Sequence, residues 1–468
     1  MGQEENVLKS LWKEGLPKVL RGLPRLYKWQ ETSISKVKSH FDDMEVLKKR
    51  YTEKIALKKF SGKMPPKGAH VVLFTWVMED GWGDYYTQLD AATILQEAFP
   101  GIQLTLITLI HKNKSPPEEK NRFTHHVFKY TGKARNEIIY EEFGEEVYAL
   151  IKNASLLLQL PTFFPHTLSL LEKVENQPRH ELIGECGFID SAWFHPKNGA
   201  HCMGLHFLEK GIIIKKMPAS PLKPCFNLDY TKTKRGNYVF LHILLKALEH
   251  DTRDITIATP SLQLYITRLE NGLKDILKRF GIRELVIHFE QSICPITVNT
   301  TGKKLIVHHV NQKPHQKFLN DVVATDQLVG CTGDGSISEA LSAGKPFFYD
   351  PPLHKRNFLK DLIALAEDRL HDYPETIAFL KLSLKNEHLI LEDVVDGFVS
   401  EEFLLIEKEK TSPEDLRDEV IAEKMGALLQ QVKTQKGFKA LAAIIQEEYA
   451  INETLCHITA RAFDTLIL

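Results

Sequence analysis

The sequence lacks several features that mark common classes of protein. No Asp-x-Asp motif occurs in its 468 residues, which argues against an enzyme that holds a diphosphate through a divalent ion bound by paired aspartates. The six cysteines form no Cys-x-x-Cys pair, a pattern typical of reduced thiols in a cytosolic protein. The net charge of −1 provides no overall field for nucleic acid. We therefore expect neither a bound metal nor a nucleic-acid partner.

Targeting and membrane-spanning segments are also missing. No apolar run reaches the length of a membrane span, and the N-terminus has no apolar signal-peptide core. Internal repeats and low-complexity tracts are absent as well. These features predict a cytoplasmic, globular protein, and its length predicts two to three domains.

Charge is distributed unevenly along the chain. Residues 1–64 carry 15 Lys and Arg against 8 Asp and Glu, whereas residues 391–468 carry 8 against 16. These two segments could dock on each other or face different partners.

The basic N-terminal segment has a helical pattern. Residues 11–29 combine basic side chains with Trp, Leu and Tyr, so peripheral membrane contact through an amphipathic helix is one interpretation. Pro17 and Pro24 interrupt that helix and favour a helical cap packed on the neighbouring domain instead.

Apolar strand-length runs alternate with amphipathic helical segments through the middle of the chain. This alternation predicts an α/β protein with doubly wound parallel sheets. We assign one Rossmann-like domain to residues 65–225 and a second to residues 226–390. Helical extensions at residues 1–64 and 391–468 complete the predicted organisation. In such folds, ligands bind at the carboxyl ends of the strands.

The most informative stretch is residues 330–352, which predicts a strand, a glycine turn, a short helix and another strand. Gly333 and Gly335 are expected to take positive φ angles in the turn. Free backbone N–H groups and the positive end of the helix dipole would form an anion site there. An ordinary βαβ corner is the alternative.

The short helix in this stretch has recognisable end signals. Ser336 and Glu339 have the spacing of a capping box, so we expect Ser336 to cap the helix and Glu339 to reach back to it. Gly344 stands where a glycine would end the helix.

The pattern Gly-x-x-Ser-x-x-Glu-Ala-x-x-x-Gly-x-Pro resembles the donor-binding segment of GT-B glycosyltransferases and of the related UDP-sugar 2-epimerases. The resemblance implies that Gly333, Asp334, Gly335 and Ser336 meet the diphosphate of a nucleotide sugar. It implies that Glu339 holds the ribose hydroxyls.

A second candidate site is the turn Asp80-Gly-Trp-Gly-Asp84, between a predicted strand and a helix. One carboxylate could deprotonate an acceptor while the other tunes or orients it. The structural alternatives are a turn residue at Asp80 and an N-cap at Asp84.

The same turn is similar to the Asp-Asn-Phe-Gly-Asp motif of protein-arginine rhamnosyltransferases, which are inverting GT-B enzymes. That resemblance implies an aspartate base in this turn. Asp334-Gly335 stands where that family has Glu-Asp, and Glu339 stands where it has an arginine. The resemblance therefore does not extend to a rhamnose donor or an arginine acceptor.

Four further residues are candidates for contacts with the nucleotide. His308 and His309 end a predicted strand of the second domain and could line the nucleotide, although single histidines more often have structural roles. Lys355 and Arg356 follow the glycine-turn unit and could neutralise phosphate charge; a solvated charge run is the alternative.

Together these features predict an inverting, metal-independent glycosyltransferase. It would use a nucleotide sugar as co-substrate and no other cofactor, and its acceptor is unknown, a protein being one option. The alternatives are a UDP-sugar 2-epimerase-like enzyme, which needs no acceptor, and a catalytically degenerate GT-B scaffold that acts as a binding protein.

Overall fold

The chain forms two compact units in a computed structural model. The structure describes residues 64–77, 82–116, 123–130, 138–162, 179–184, 199–202, 211–262, 265, 272–310, 315–351, 356–385 and 413–464. Of these, residues 64–215 and 447–464 form the first unit, and residues 216–446 form the second. The helical pattern predicted for the N-terminal segment lies outside the described residues, apart from Met64.

The first unit is built on a six-stranded parallel sheet. Its strands are β1 (His70–Val77), β2 (Gln103–His111), β3 (Thr124–Tyr130), β4 (Leu156–Thr162), β5 (Arg179–Gly184) and β6 (Gly199–Cys202). Their spatial order is β3-β2-β1-β4-β5-β6, the order of dinucleotide-binding folds. The helices α1 (Gly83–Ala98) and α2 (Ile138–Ile151) follow β1 and β3 in the chain.

Burial of β1 on both faces explains why its sequence is almost continuously apolar. Val71 and Leu73 belong to one hydrophobic core cluster, whereas Val72 and Phe74 belong to another that includes Val147 of α2. Successive side chains of a strand point to opposite faces, so both faces of this sheet are buried. Each fully buried Val, Leu or Phe contributes about 1.5–3 kcal/mol.

The C-terminal helix α11 (Asn452–Asp464) belongs to the first unit. Leu455 and Phe463 lie in the same core cluster as β1 and α1. The chain segment that enters this helix pairs with the segment that leaves the first unit: Ile212 N–H donates to Tyr449 O at 2.8 Å. Asn452 extends this pairing, because its side chain accepts from Ile214 N–H and donates to Ile214 O. The last helix therefore completes the core of the first unit.

The second unit is built on a seven-stranded sheet. Its strands are β7 (Phe226–Asp229), β8 (Ile255–Thr259), β9 (Ile282–Phe289), β10 (Ser292–Thr297), β11 (Lys303–His309), β12 (Val329–Cys331) and β13 (Phe347–Tyr349). Their order is β10-β9-β11-β8-β7-β12-β13, and only β10 is antiparallel to its neighbour. The β9–β10 hairpin was not predicted. Pro295 in β10 weakens a strand pattern and is tolerated because β10 is an edge strand.

Helices of the second unit connect its strands and extend beyond its last strand. They are α3 (Lys234–Ala247), α4 (Lys274–Arg279), α5 (His315–Ala324), α6 (Asp334–Ser342), α7 (Arg356–Arg369), α8 (Pro374–Lys385), α9 (Pro413–Leu429) and α10 (Val432–Glu448). Two sheets of mainly parallel strands with alternating helices confirm the predicted pair of Rossmann-like domains. Among the described helices, none has both the length and the apolar character needed to cross a membrane.

The acidic helix α9 packs along α3. Gly426 permits the close approach, because a Cβ there would lie 2.6 Å from Ile243 O. Glu419 and Glu423 of α9 both contact the guanidinium of Arg279 on α4, at 3.4 and 2.8 Å. Part of the C-terminal negative charge is therefore neutralised within the second unit.

Burial of His242 predicts acid-sensitive stability. The ring lies between Tyr238 and Phe280, and among the described residues neither ring nitrogen has a hydrogen-bond partner. Burial lowers the pKa of His242 to about 4 from 6.5. The folded state thus binds fewer protons than the unfolded state between these values, so the free energy of unfolding should fall as pH drops from 6.5 to 4, by on the order of 3 kcal/mol.

The variant His242→Phe should remove that part of the pH dependence, measured by urea unfolding at pH 7 and at pH 4. The exposed His371→Phe provides the control and should leave the pH dependence as in wild type. Equal pH dependence in wild type and His242→Phe would contradict this role of the buried ring.

Candidate functional site

The winding of the second sheet reverses between β7 and β12, and ligands of open α/β sheets bind at such a point. The loop after β7 leads into α3, and the loop after β12 leads into α6. Two hydrogen bonds join these loops: Tyr230 N–H donates to Gly330 O at 2.9 Å, and Lys232 N–H donates to Thr332 Oγ1 at 3.2 Å. Two helix N-termini therefore begin close together at one edge of the sheet.

Helix α6 begins without a side-chain cap. Its N-cap residue is Gly333, and the first intrahelical bond runs from Ile337 N–H to Gly333 O at 3.2 Å. A Cβ placed on Gly333 would meet no atom within 4 Å, so the space in front of the turn is open. The first-turn N–H groups and the helix dipole can therefore receive an anion.

The capping box predicted here is wrong. Ser336 lies inside the first turn, and its hydroxyl donates to Gly333 O at 2.9 Å. Glu339 lies further along α6, where its carboxylate is buried 4.0 Å from His315 Nδ1. The helix starts three residues earlier than predicted because Gly333 ends the extended segment with φ −88° and ψ 165°.

The glycines of the turn also differ from prediction. Gly333 has a negative φ, and Gly335 lies within α6, so neither provides the expected left-handed turn. Gly344 does end the helix, with a φ of 62°. Its N–H donates to Leu341 O, and Lys345 N–H donates to Ala340 O, which is the Schellman pattern.

Helix α3 contrasts with α6 because its N-terminus is capped. Thr233 Oγ1 accepts from Gly236 N–H at 2.7 Å and donates to Asp350 Oδ2 at 2.9 Å. Asp350 follows β13 directly, so this contact ties the loop after β7 to the loop after β13. The loops after β7 and β13 are thereby joined to each other, with the Gly333 turn after β12 between them.

A buried carboxylate holds the loop after β7. Asp229 is fully buried; it accepts from Thr231 Oγ1 at 2.6 Å and from Asn237 Nδ2 at 2.8 Å. Burial raises the pKa of Asp229 to about 6, against the effect of these hydrogen bonds. Gly330 makes room for the carboxylate, since a Cβ there would lie 2.7 Å from Asp229 Oδ1.

None of the residues of this loop was predicted as part of the site. The signal in the sequence is Asp229-Tyr-Thr-Lys-Thr233, a strand end followed by N-cap residues, then Lys234-Arg-Gly236. Lys232 and Arg235 add positive charge beside the two helix starts.

His308 and His309 lie at the end of β11, and β8 and β7 separate this strand from β12. Three strand spacings correspond to about 14 Å, so these histidines are not neighbours of Gly333. The rings of His308 and His288 lie 4.4 Å apart. His309 Nε2 lies 3.1 Å from Pro260 O, and burial lowers the pKa of His309.

Two predicted phosphate contacts cannot be placed. Lys355 lies outside the described residues, and so does the side chain of Arg356, whose backbone begins α7. The side chain of Asp334 is likewise outside the described part of the structure.

The second predicted site lies at the carboxyl end of β1 in the first unit. Asp80 lies outside the described residues, whereas Asp84 is half-buried in the first turn of α1. The N-cap of α1 is Trp82, so the alternative of Asp84 as an N-cap is wrong. Trp82 packs edge-to-face against Tyr85 at 5.6 Å, and Lys114 Nζ lies 4.9 Å from the Trp82 ring centre.

A buried polar network fixes α1 on the sheet. Gln88 Nε2 donates to Leu73 O at 2.8 Å and to Ile107 O at 2.9 Å, while Thr108 Oγ1 donates to Gln88 Oε1 at 2.6 Å. His125 Nε2 lies 2.8 Å from Thr108 Oγ1, and burial lowers the pKa of His125 to about 4. These hydrogen bonds hold α1, which carries Asp84 in its first turn, against β1 and β2.

Within the described ranges, no group of three or more His, Cys, Asp or Glu side chains is arranged to hold a metal ion.

The sequence matches no protein-family model and no curated protein. Solved structures similar to the chain include a glycosyltransferase from Rickettsia africae, with 9% identity, a TM-score of 0.44 and coverage of 86% of this chain and 99% of that one. Another is Medicago truncatula UGT71G1 complexed with UDP-glucose, with 10% identity, a TM-score of 0.41 and coverage of 85% and 98%. A third is an alpha-glucosyltransferase in complex with UDP and DNA, with 11% identity, a TM-score of 0.40 and coverage of 81% and 100%.

The close contacts of Asp350 with Thr233 and Gly236 lead to a prediction about stability. In Gly236→Ala, the new Cβ would collide with the Asp350 carboxylate and lie 2.9 Å from Thr233 Oγ1. We expect a loss of about 1–3 kcal/mol in the free energy of unfolding, although alanine is normally more favourable than glycine within a helix. Gly333→Ala meets no atom and should stay within about 0.5–1 kcal/mol of wild type. Urea unfolding measures both, and similar values for the two variants would contradict the close packing at Gly236.

Proposed function

We propose that the chain is a GT-B glycosyltransferase that transfers a sugar from a nucleotide-sugar donor to an acceptor. The observation that carries this proposal is the uncapped N-terminus of α6, which opens at the point where the second sheet reverses its winding. The resemblance of the segment from Gly333 to Pro346 to the donor-binding segment of these enzymes supports the same conclusion.

The donor diphosphate would bind the N–H groups of Asp334, Gly335 and Ser336. Helix N-termini favour negative charge, and Gly333 leaves room for a phosphate to approach the backbone. Lys232, which is exposed at the neighbouring loop, would add a cation. This arrangement would stabilise the diphosphate as it leaves, without a metal ion.

The nucleoside would extend from the turn across the sheet. We assign Glu339 to the ribose hydroxyls. These hydroxyls would share the Glu339 carboxylate with His315 or replace His315 as its partner. His308 and His309 would line the base, since an extended nucleotide can span the three strand spacings between β12 and β11. Lys355 and Arg356 remain candidates for further phosphate contacts.

Asp84 would act as the general base in an inverting reaction. Its carboxylate would take a proton from the acceptor nucleophile, which attacks the anomeric carbon while the bond from that carbon to the diphosphate oxygen breaks. The nucleoside diphosphate leaves with the electron pair. The acceptor, a protein among the options, would bind the first unit near Trp82 and Lys114, with Asp80 tuning or orienting the base.

The variant Gly333→Val should weaken nucleotide-sugar binding at least tenfold, because its side chain fills the space that the diphosphate needs. Isothermal titration with UDP-, GDP- and dTDP-sugars in EDTA measures this. Gly83→Val is the matched control: it also begins a helix with no atom within 4 Å of the new Cβ, but in the first unit.

Unchanged donor affinity in folded Gly333→Val would refute the diphosphate site. Product analysis of the wild type separates the remaining functions: transfer or donor hydrolysis supports the proposal, a new sugar epimer supports the epimerase-like alternative, and binding without turnover supports a scaffold.

The variant Asp84→Asn should lower turnover by about 100- to 10,000-fold and leave donor affinity nearly unchanged. Asparagine keeps the size of the side chain but cannot accept a proton. A purely structural role for Asp84, which lies in the first turn of α1, would lower the free energy of unfolding and leave turnover unchanged. Glu97→Gln, at the other end of the same helix, is the control. Wild-type turnover in Asp84→Asn would exclude Asp84 as the base.

A further inference from the structure

Helix α10 carries a row of lysines in an otherwise acidic part of the chain. Residues 391–468 hold 8 Lys and Arg against 16 Asp and Glu, and three of the eight are Lys433, Lys436 and Lys439. All three residues are exposed. Within the described part of the chain, none of them forms an ion pair. We call these three residues the lysine ridge.

The ridge lies on the outward face of its helix. Residues three positions apart are neighbours on a helix surface, so the three lysines share one face. The opposite face is buried, and the ring of Phe438 packs there against Phe347 at 5.1 Å and Phe379 at 5.4 Å. The buried residues of α10 are Thr434, Gly437, Phe438, Leu441, Ala442 and Ile445. The inner face therefore fixes the direction in which the ridge points.

The order of charges along α10 opposes the helix dipole. Lys433 lies in the first turn, which has no acidic residue, and Glu447 and Glu448 lie in the last turn, which has no basic one. A helix dipole favours the reverse order. Local helix stability thus does not explain the placement of the lysines, whereas a negatively charged partner would.

A fourth lysine adjoins the ridge. The stem of Lys439 passes close to Gly344, where a Cβ would lie 3.8 Å from Lys439 Cγ, and the next residue is Lys345. Lys345 Nζ donates to Thr325 O at 2.6 Å. Burial lowers the pKa of Lys345 to about 8 from 10.5, and the charge of Lys439 acts in the same direction, with Asp326 opposing. The positive potential of the ridge is therefore felt by a neighbouring group of the same unit.

The chemistry of the ridge indicates the class of partner. Helix α10 contains no arginine, and its single aromatic side chain, Phe438, is buried. Nucleic acids are usually bound through planar guanidinium groups and stacked aromatic rings. Val432, at the start of the helix, is 68% exposed, and the small residues Ala440 and Ala443 continue the outward face. Lysines beside an apolar side chain suit a lipid surface, where ammonium groups stay at the headgroups.

We propose that the lysine ridge, together with Val432, binds the surface of a membrane that contains anionic lipids. Each lysine near such a surface should strengthen binding about fivefold, and three should strengthen it about 100-fold. The contact is peripheral and reversible. It goes beyond the proposed transfer reaction, since it supplies a partner that the reaction itself does not require.

Cosedimentation of the full chain with lipid vesicles tests the proposal. The protein should bind vesicles of phosphatidylcholine with about one-third phosphatidylserine, more weakly as salt is added, and should not bind phosphatidylcholine alone. Combined Lys433→Gln, Lys436→Gln and Lys439→Gln substitutions should weaken binding about 100-fold. The same three positions changed to arginine should retain binding, because a diffuse anionic surface requires only the charge.

A second triple variant controls for net charge. Lys278, Lys360 and Lys424 are exposed lysines on α4, α7 and α9 of the same unit. Their combined change to glutamine removes as much charge as the ridge variant and should leave vesicle binding as in wild type. Equal weakening in the two triple variants, with equal midpoints of thermal unfolding, would overturn the role of the ridge.

Val432→Asn distinguishes a lipid surface from other polyanions. The variant should weaken vesicle binding about threefold, because the apolar side chain no longer enters the interface, and should not change any binding to a short RNA. Absence of vesicle binding by the wild type, or tighter binding to the RNA than to the vesicles, would overturn the membrane assignment. The assay contains no nucleotide sugar, so its outcome does not depend on the proposed reaction.

Discussion

Parallel pairing of β12 with β7 is the constraint on which the candidate donor site depends. The two strands are separated by about one hundred residues, yet their hydrogen bonds place Val329 beside Leu228 and Gly330 beside Asp229. Two loops and two helix starts therefore meet at one edge of the sheet. Thr233 caps one N–H group in the first turn of α3, whereas α6 begins at a glycine and has no side-chain cap.

Buried polar groups maintain this geometry. Asp229 is removed from water and held by hydroxyl, amide and backbone donors, and Asp350 ties the outer loops together through Thr233. A buried carboxylate without such partners would be costly, so the loop cannot rearrange without losing several hydrogen bonds at once. Gly330 and Gly236 are required because both carboxylates occupy the space that a Cβ would fill.

The C-terminal part of the chain contributes to both units. Helix α11 fills the core of the first unit, and α9 lies along α3 in the second. The acidic residues of α9 face arginines of the same unit, which gives a local partner to part of the negative charge concentrated after residue 390. The C-terminal helices are therefore parts of the two units, and α9 forms ion pairs with α3 and α4.

Local chemistry determined much of this protein from the sequence alone. Continuous apolar runs such as β1 predict strands buried on both faces, and Gly344 marks the end of α6 because its positive φ favours glycine. The start of α6 was misplaced by three residues, since Ser336 has capping chemistry wherever the helix begins. The contacts between Thr233 and Asp350, between Arg235 and Asp418, and between Asp229 and Gly330 were decided only by the tertiary structure. Their partners come from separate strands and helices, and no local pattern encodes which of them will be neighbours in the sheet.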